Sequence, residues 1–466
     1  MPVNSFDNYP MSWKPNTKDL TPPLYKSLAQ LLENDIQNGT LNPGDKLPPQ
    51  RELADFLDLN LSTITRAFKI CELKGLISGT TGKGTYISSD VQTSPLLLST
   101  LNEDYIDMGA AFPLYEQNKY IIDLIKKLIK KTNIENFLQY SPPIGLLSHR
   151  KTACKYLRKF NINATPENIM ITSGSQNALS IILMSLFASG DKIGTDPLTY
   201  PAFKSLANML GIRLFPLPIN NTSVTYENLD TICKNENIKG LYLIPEMHNP
   251  TTYSMSKNQK EKLSKIIKNN NLLLIEDGIY AYLSDSNNIP LSAMAPNHSL
   301  YISSLSKCLC AGLRVSFMVV PNKYKSKVEQ GIYNVNVTTS SFNVEIACQA
   351  IETHLSDKII SERKNLTLER NTIVNRILKN RTVYGNDYSL FRWLVLPKHI
   401  CGSKFEIRAL EKGVQVFCAD RFVVGNSKFE PAARLSVCSP KNNEELEHAL
   451  ITVSYTHLRA HETRSN

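Results

Sequence analysis

Residues 303–314 read Ser-Ser-Leu-Ser-Lys-Cys-Leu-Cys-Ala-Gly-Leu-Arg, and the architecture of most of the chain can be worked out from this segment. It places Lys307 among small hydroxyl side chains, with Arg314 seven residues later. A lysine that forms a Schiff base must be partly desolvated, so that its amine can be neutral. Neighbouring hydroxyls and an arginine are groups that can grip a phosphate. A lone Ser-x-x-Lys is more often a solvated loop, so the interpretation depends on what precedes it.

Polar residues with complementary chemistry precede this segment. Asp277 and Tyr280 end the apolar run before them, and a buried aspartate can keep a pyridine nitrogen protonated, as pyridoxal phosphate (PLP) requires. Tyr280 and Asn249 can both bond the ring hydroxyl of that cofactor. Residues 173–178 follow a predicted strand and open a helix whose free amides suit an anion. Taken singly, Asp277 could be a helix cap and Asn249-Pro250 a turn former.

From about residue 105, short apolar runs alternate with amphipathic segments, which is typical of an α/β fold. Each run is almost continuously apolar, which favours a sheet buried on both faces. Polar residues and glycines follow several of the runs, where open α/β sheets place their ligands. The predicted strands are 169–171, 192–194, 240–244, 272–275 and 315–320.

The order of these motifs resembles the fold-type I aminotransferases of class I/II. The motifs are Ser-Gly-Ser-Gln at 173–176, then Tyr200, Asn249, Asp277 with Tyr280, Lys307 and Arg314. The resemblance covers about residues 105–455. It implies an α/β PLP-dependent transferase fold with a small C-terminal α+β subdomain and with PLP as the cofactor. No metal site is predicted.

The resemblance implies a role for each matched residue. Lys307 is the catalytic residue that forms the internal aldimine, and Asp277 pairs with the pyridinium nitrogen. Tyr200 stacks on the ring, whose oxygen is bonded by Asn249 and Tyr280. The residues that hold the phosphate are Ser175, Gln176, Ser304, Ser306 and Arg314.

Three further positions follow from the same resemblance. Tyr140 could reach the phosphate of a second subunit across a dimer interface. Arg434 matches the arginine that clamps a substrate α-carboxylate in a bidentate pair, the alternative being a surface charge beside a strand. Thr252 stands where the family usually has Gly, which could shift the loop without removing Asn249.

The N-terminal segment has a different pattern. Leu24, Leu28, Leu31, Leu32 and Ile36 follow helical spacing after Pro22-Pro23. A second helix follows Pro48-Pro49, and Asn60 or Ser62 can cap a third that carries Ile64 and Phe68. Two short strands, 76–78 and 85–87, flank the Gly-rich 79–84. These elements predict a helix-turn-helix with a wing.

Three motifs in this segment resemble the GntR family of winged-helix regulators: residues 23–25, 43–54 and 82–86. The resemblance, over about residues 22–88, implies that the third helix enters the major groove of DNA. Leu61 stands where many members have a base-reading Arg, so it could contact only a thymine methyl. The alternative is a generic small domain with solvated charges. The predicted DNA-binding residues are Arg51, Ser62, Thr63, Thr65, Arg66 and Lys83.

Composition sets broader limits. The net charge is +10, yet residues 1–90 carry 9 Lys/Arg against 10 Asp/Glu, so charge does not locate a DNA-binding surface. No apolar run reaches the roughly 18 residues of a membrane span, and residues 1–18 lack the apolar core of a signal peptide. Nine cysteines without a C-x-x-C pair favour a reducing cytoplasm over a disulfide framework.

A winged helix before an aminotransferase fold resembles the MocR/GabR group. The combination predicts a PLP-dependent transcription regulator that binds an operator in double-stranded DNA and senses an amino acid or amine through external aldimine formation at Lys307. A homodimer is also implied. One alternative is an aminotransferase with an appended head, since sensing and weak transamination use the same residues. Another is a DNA-binding or scaffold protein that has lost PLP.

The expected organisation has five segments: an N-terminal arm (1–21), a winged helix (22–88), a linker (89–104), the aminotransferase-like domain (105–452) and a tail (453–466). The tail does not continue the amphipathic pattern that begins at Asn443. It resembles translated sequencing-adapter read-through, so we expect an artefactual tail that replaces the true C-terminus, or else a disordered lineage-specific one.

Overall fold

The structure is a computed structural model that describes residues 11–38, 40–41, 45–73, 76–80, 84–87, 105–130, 134–220, 223–224, 228–284, 287–425 and 427–462. Several sequence-based predictions fall outside these ranges. They are Lys83 at the wing tip, the linker at 89–104 and the last four residues of the tail.

The N-terminal unit has three helices followed by a two-stranded antiparallel hairpin, in which Ile77 lies opposite Ile87. The elements are α1 Leu24–Gln37, α2 Gln50–Leu57, α3 Leu61–Leu73, β1 Ile77–Thr80 and β2 Gly84–Ile87. The third helix begins directly after Asn60, which places Ser62 inside the helix rather than at its cap. The predicted winged helix-turn-helix is confirmed.

The core of this unit is formed by the apolar faces of all three helices. Leu28, Leu53 and Ile64 are among its fully buried residues. Trp13, which belongs to the predicted N-terminal arm, is buried in the same core, and its indole Nε1 donates to Asp35 Oδ2 at 2.8 Å. The described part of the arm therefore packs onto the winged helix, because a buried indole needs both an apolar pocket and an acceptor.

The larger unit begins with a series of strands and helices between Ile106 and Ile377. They are β3 Ile106–Asp107, α4 Asn118–Leu128, α5 Leu147–Arg158, β4 Ile169–Thr172, α6 Ser175–Leu186, β5 Lys192–Thr195, α7 Pro201–Met209, β6 Arg213–Pro216, β7 Ile219–Asn220, β8 Ser223–Val224, α8 Leu229–Asn235, β9 Ile238–Leu243, α9 Lys257–Asn269, β10 Leu273–Asp277, α10 Leu291–Met294, β11 Ser299–Ser304, β12 Ser316–Val319, α11 Lys325–Asn336, α12 Ser341–Glu352 and α13 Leu355–Ile377.

Seven of these strands form one sheet in the order β4-β12-β11-β10-β9-β5-β6. Only β12 runs antiparallel to its neighbours, β11 and β4. The other six strands therefore share one direction, and their carboxyl ends lie along one edge of the sheet. Open α/β sheets bind ligands at this edge.

All five predicted strands are present in this sheet, with boundaries shifted by up to two residues. Two strands were missed, β6 and β11. The second of these reads Ser-Leu-Tyr-Ile-Ser-Ser, and its serines interrupt the apolar run although every residue in it is buried. A hydroxyl can be buried without a large cost in free energy when it is hydrogen-bonded. Ser299 Oγ, for example, donates to Ala295 O at 2.7 Å.

The C-terminal part adds a four-stranded antiparallel sheet in the order β13-β14-β17-β16 and two helices, which confirms the predicted small α+β subdomain. A parallel pair formed by β15 and β3 joins the start of the larger unit to this part. The elements are β13 Val383–Tyr384, β14 Phe391–Val395, α14 Gly402–Leu410, β15 Val414–Gln415, β16 Phe417–Cys418, β17 Ala432–Ser436 and α15 Asn443–Glu462.

The last helix corrects one expectation. The predicted break before Val453 does not occur, because α15 continues to Glu462. Val453 and Thr456 are buried, so the first residues of the expected tail belong to the helix and pack against the rest of the fold. Within the described ranges, none of the helices combines the length and apolar character needed to cross a bilayer.

Candidate functional site

Most of the predicted cofactor residues lie at or just past the carboxyl ends of the parallel strands β4, β5, β9, β10 and β11, and Arg314 precedes β12. Register explains why they meet: Ser316 at the start of β12 pairs with Ser304 on one side and with Thr172 on the other. The hydroxyls of Thr172 and Ser316 are 2.6 Å apart and fix this register. The loop from Ser304 to Arg314 is thereby held beside the loop that opens α6.

The residues predicted to hold a phosphate surround the start of α6. Gly174 precedes the helix with a φ of 89°, a conformation that favours glycine, and the Arg314 guanidinium lies directly against it. Arg314 Nη1 donates to Ser306 Oγ at 2.8 Å, and Ser306 N donates to Ser304 Oγ at 3.3 Å. A guanidinium, hydroxyls and the positive end of a helix make this a cradle for an anion.

Ser175 and Gln176 form the first turn of α6 at this cradle. Gln176 Nε2 donates to Ala202 O at 3.3 Å, whereas its Oε1 is buried without a hydrogen-bond partner. A buried amide oxygen without a donor is costly, so a ligand or water that donates to it would stabilise the site.

Lys307 lies just past β11, and its side chain is half-buried. Its Nζ donates to Ala111 O and lies 6.0 Å from the centroid of the Phe112 ring. Burial, together with the positive charges of Arg434 and Arg314, lowers the pKa of this amine to about 8. The site therefore favours the neutral, nucleophilic form far more than water does.

Asp277 is the last residue of β10 and is buried. Its Oδ1 accepts from Ile279 N at 3.2 Å, and its Oδ2 accepts from the hydroxyl of Tyr242 at 3.1 Å. Burial raises the pKa of this carboxyl group to about 6, and these two hydrogen bonds oppose the effect. None of the ion pairs among the described residues involves Asp277, so the described part of the chain gives its charge no cationic partner.

Arg434 comes from β17 of the C-terminal sheet and reaches the same site. Its Nη1 donates to Asn249 Oδ1 at 2.6 Å and its Nη2 to Gly109 O, while its Nε is buried without a partner. The guanidinium lies among aromatic rings, the nearest being Phe422 at 4.9 Å from the ring centroid. Burial lowers its pKa to about 10. The structure thus makes Arg434 a buried group, not a surface charge.

Three predicted tyrosines occupy different positions. Tyr280 is buried and packs edge-to-face on Phe391, with ring centroids 5.6 Å apart. Tyr200 caps the start of α7 and is partly buried; burial raises its pKa, and the charge of Asp277 raises it further. Tyr140 is 89% exposed, so within one chain it is not part of the pocket.

Sequence reasoning missed two residues of this region, Tyr242 and Arg363. Tyr242 lies within the predicted apolar strand 240–244, and none of the sequence motifs gives it a role of its own. A lone phenol near the carboxyl end of such a strand is the signal that could have indicated a site residue. Arg363 is buried in α13, and its Nη1 donates to the backbone oxygen of Lys307 at 3.1 Å. Nothing local in the sequence of a long helix indicates that contact.

Five of the six predicted DNA-binding residues lie on the second and third helices of the winged helix, and Lys83 lies outside the described residues. Arg51 is exposed in the first turn of α2. Thr65 Oγ1 donates to Gln50 Oε1 at 2.8 Å, and the Arg66 guanidinium lies 5.9 Å from the centroid of the Tyr25 ring. Ser62 and Thr63 form the start of α3, with Ser62 exposed.

The fold and this site define an aminotransferase-type protein that carries a winged helix at its N-terminus. Family models agree. "Aminotransferase class I and II" matches residues 103–450, and "Bacterial regulatory proteins, gntR family" matches residues 24–87. The chain belongs to the class I and II aminotransferase family, and with its GntR domain it has the MocR-type architecture of transcriptional regulators.

Relatives with the same two-part organisation are named as regulators. The chain is 43% identical to the HTH-type transcriptional regulator YdeF of Bacillus subtilis over 453 residues, which is 97% of this chain and 98% of YdeF. It is 23% identical to the HTH-type transcriptional regulator NorG of Staphylococcus aureus, over 89% of this chain and 99% of NorG.

Several solved structures similar to this chain are described as aminotransferases. An archaeal alanine:glyoxylate aminotransferase superimposes with a TM-score of 0.70 at 22% identity, covering 76% of this chain and 91% of that one. LysN, the α-aminoadipate aminotransferase of Thermus thermophilus, gives a TM-score of 0.70 at 20% identity, covering 78% and 94%. These likenesses confirm the predicted aminotransferase fold of the body.

Proposed function

We propose that this regulator binds PLP through Lys307, senses an amino acid or amine at that site, and binds operator DNA through its winged helix. The observation that carries the proposal is the convergence of four groups at one sheet edge. They are an amine with a lowered pKa, a buried carboxylate, an anion cradle and a buried arginine. An ordinary structural core has no need for all four together.

The residues present fit PLP. The cradle of Gly174, Ser306 and Arg314 has the donors and the close backbone approach that a phosphate needs. Asp277 lacks a cationic partner among the described residues, and a pyridinium would supply one. When bound, PLP supplies an aldehyde that condenses with primary amines and a ring that withdraws electrons. Lys307 would hold the aldehyde, with Ser175 and Ser304 beside the phosphate.

Other residues would orient the cofactor and its ligand. Asn249 and Tyr280 are suited to the ring oxygen, and Tyr200 to the ring face. Arg434 would hold the carboxylate of an α-amino acid, and its three neighbouring rings would exclude water from that pair. In LysN, by its description, the complex contains N-(5′-phosphopyridoxyl)-L-leucine, a compound that joins the two ligands proposed here.

A second copy of the chain would complete the site. Tyr140 and Leu138 are 89% and 72% exposed, and an exposed apolar pair of this kind suits a covered interface. In a dimer, Tyr140 would approach the phosphate of the other subunit. A dimer would also present two winged helices to a repeated operator, with Arg51, Ser62, Thr63, Thr65, Arg66 and Lys83 as the DNA contacts. Such a regulator acts where the chromosome lies, in the cytoplasm.

DNA binding would be regulated because the site makes different contacts with and without a bound effector. An amino compound that takes the place of the Lys307 amine changes the charge and the hydrogen bonds at the sheet edge. A ligand shifts a conformational equilibrium only if it binds the two arrangements unequally, and these changed contacts supply the difference. DNA affinity would then depend on whether the effector is bound.

The test is a spectral titration of the purified full-length protein with a panel of α-amino acids and amines, repeated with its own promoter DNA. We expect wild-type protein to have a visible absorbance band that Lys307→Ala abolishes. Lys364→Ala is the matched control, because this lysine lines the same cavity as Lys307. We expect an effector to change both the spectrum and the mobility shift of the DNA.

Two outcomes would contradict the proposal. An unchanged visible band in Lys307→Ala would refute the lysine assignment. Steady-state transamination at ordinary enzymatic rates, together with no DNA binding, would support the aminotransferase alternative.

A further inference from the structure

The hydroxyl of Tyr242 and the carboxylate of Asp277 form a buried hydrogen bond between neighbouring strands. Tyr242 on β9 pairs with Ile275 on β10, and Asp277 lies two residues beyond Ile275. Side chains two residues apart on a strand share a face, so Tyr242 and Asp277 are diagonal neighbours on one face of the sheet. The 3.1 Å bond from the Tyr242 hydroxyl to Asp277 Oδ2 joins them.

Core packing alone does not account for a tyrosine at this position. Its neighbours Leu241, Leu243 and Ile244 are apolar, and a phenylalanine would fill nearly the same space. Burying a hydroxyl costs free energy unless it is hydrogen-bonded, and among the described residues the partner of this hydroxyl is Asp277 alone. The pKa of Tyr242 is raised well above its usual value by burial and by the charge of Asp277, so the phenol stays protonated and acts as the donor.

The position of the Tyr242 ring is fixed from the other side. Phe203 stacks on it, with ring centroids 3.6 Å apart and ring planes at 16°. Phe203 belongs to α7, which begins directly after Tyr200. The stacked pair of rings therefore fixes the position of the Tyr242 hydroxyl, which can act as a donor with a fixed direction.

We propose that Tyr242 is a positioning residue of the cofactor site, whose hydroxyl holds the Asp277 carboxylate ionised and oriented for a pyridinium nitrogen. This inference rests on the proposed PLP function. With Ile279 N on Oδ1 and Tyr242 on Oδ2, each carboxylate oxygen keeps capacity for one more bond. Tyr242 thus acts through Asp277.

Three other phenols lie near Asp277, but they do not donate a hydrogen bond to its carboxylate as Tyr242 does. Burial raises the pKa values of Tyr200 and Tyr280, and the charge of Asp277 raises them further. The pKa of Tyr301 is raised by burial and then by the charges of Glu276, Glu246 and Asp277. They stay neutral, and none of them is hydrogen-bonded to the carboxylate. The Tyr301 hydroxyl, on β11, is buried and has no hydrogen-bond partner among the described residues.

The experiment compares Tyr242→Phe with Tyr301→Phe in the full-length protein. Apo-protein is titrated with PLP, and binding is followed by visible absorbance across a pH series. A hydrogen bond to a charged group supports an expected loss in PLP affinity of about tenfold for Tyr242→Phe. Because the lost bond favours the ionised form, the acid limb of the affinity profile should move to higher pH. Tyr301→Phe should match the wild type in both measurements.

Each other outcome has a definite meaning. Wild-type affinity and an unmoved acid limb in Tyr242→Phe would overturn the inference, as would equal losses in both variants. Failure of the wild-type chain to take up PLP would instead overturn the proposed function, and this inference with it. Should Tyr242→Phe not fold, Phe203→Leu serves as the second variant, because it frees the Tyr242 ring. Phe203→Leu should also lower the affinity for PLP. An affinity equal to that of the wild type would count against the inference.

Discussion

The guanidinium of Arg314 lies against Gly174, in the space that a Cβ on this glycine would occupy. Gly174 opens α6 and Arg314 precedes β12, so the contact joins the two loops of the anion cradle. Absence of a side chain at position 174 is what allows the arginine to reach the helix N-terminus. The phosphate site therefore depends on a glycine as much as on its charged and hydroxyl groups.

Gly174→Ala should weaken PLP binding, because the new methyl group displaces the Arg314 guanidinium. The backbone strain of a non-Gly residue at φ 89° and ψ 167° adds about 1–3 kcal/mol to the cost. Gly190→Ala is the matched control: its φ is 93°, and a Cβ there meets no atom within 4 Å. PLP affinity and the free energy of unfolding should be measured for both. Equal PLP affinity in the two variants would contradict the cradle.

Arg434→Lys should lower the affinity for α-amino acids by about tenfold or more, because an ammonium cannot bond a carboxylate in the bidentate manner. Amines without a carboxylate should bind as they do to the wild type. Arg392→Lys, a buried arginine on the neighbouring strand β14, is the control. Spectral titration with paired amino acids and amines measures the effect, and a parallel loss for both ligand classes would argue against a carboxylate clamp.

Arg66→Ala should weaken operator binding and reduce the slope of log K against log salt concentration by about one. The reason is that a phosphate-contacting arginine releases counterions on binding. Lys69→Ala removes the same charge from the same helix, but this lysine pairs with Glu72 at 2.9 Å. Binding isotherms at several salt concentrations provide the comparison. If the slope of log K against log salt concentration for Arg66→Ala equals that of the wild type, Arg66 does not contact a DNA phosphate.

Glu276 should make the apo-protein less stable as pH rises. It is buried beside Asp277 and accepts from Ser292 N at 2.5 Å, and burial raises its pKa to about 7. Between its unfolded value of about 4.5 and pH 7, the folded state binds more protons than the unfolded state. The free energy of unfolding should fall with rising pH by up to about 1.4 kcal/mol per pH unit.

Glu276→Gln should flatten this dependence, most clearly between pH 6 and 7, where Asp277, with a pKa of about 6, contributes less. Glu261→Gln, on the exposed face of α9, should leave the slope as it is in the wild type. Denaturant unfolding of apo-protein across this range measures both. A wild-type slope in Glu276→Gln would show that other groups carry the pH dependence.

The sequence by itself determined the order of the motifs, the winged helix and the residue types of the site. Lys307, Ser306 and Arg314 lie within one loop, so their proximity follows from chain connectivity. The helix periodicity at residues 24–73 likewise needs only neighbours along the chain. Such local patterns are set by 3.6-residue spacing and turn chemistry, which are visible in any sequence.

Only the tertiary structure decided the contacts between distant segments. Tyr242 meets Asp277 because β9 and β10 pair in one register, and Arg434 meets Asn249, 185 residues away, because the C-terminal sheet packs beside the larger one. The sequences of β9 and β17 show a phenol and an arginine, but not which residues these side chains meet. Strand register and packing of sheets are collective outcomes of burial, whereas a sequence pattern reports only which face each residue takes. For the same reason, α15 continues past Val453: its buried side chains have a core to pack against, which the local pattern does not reveal.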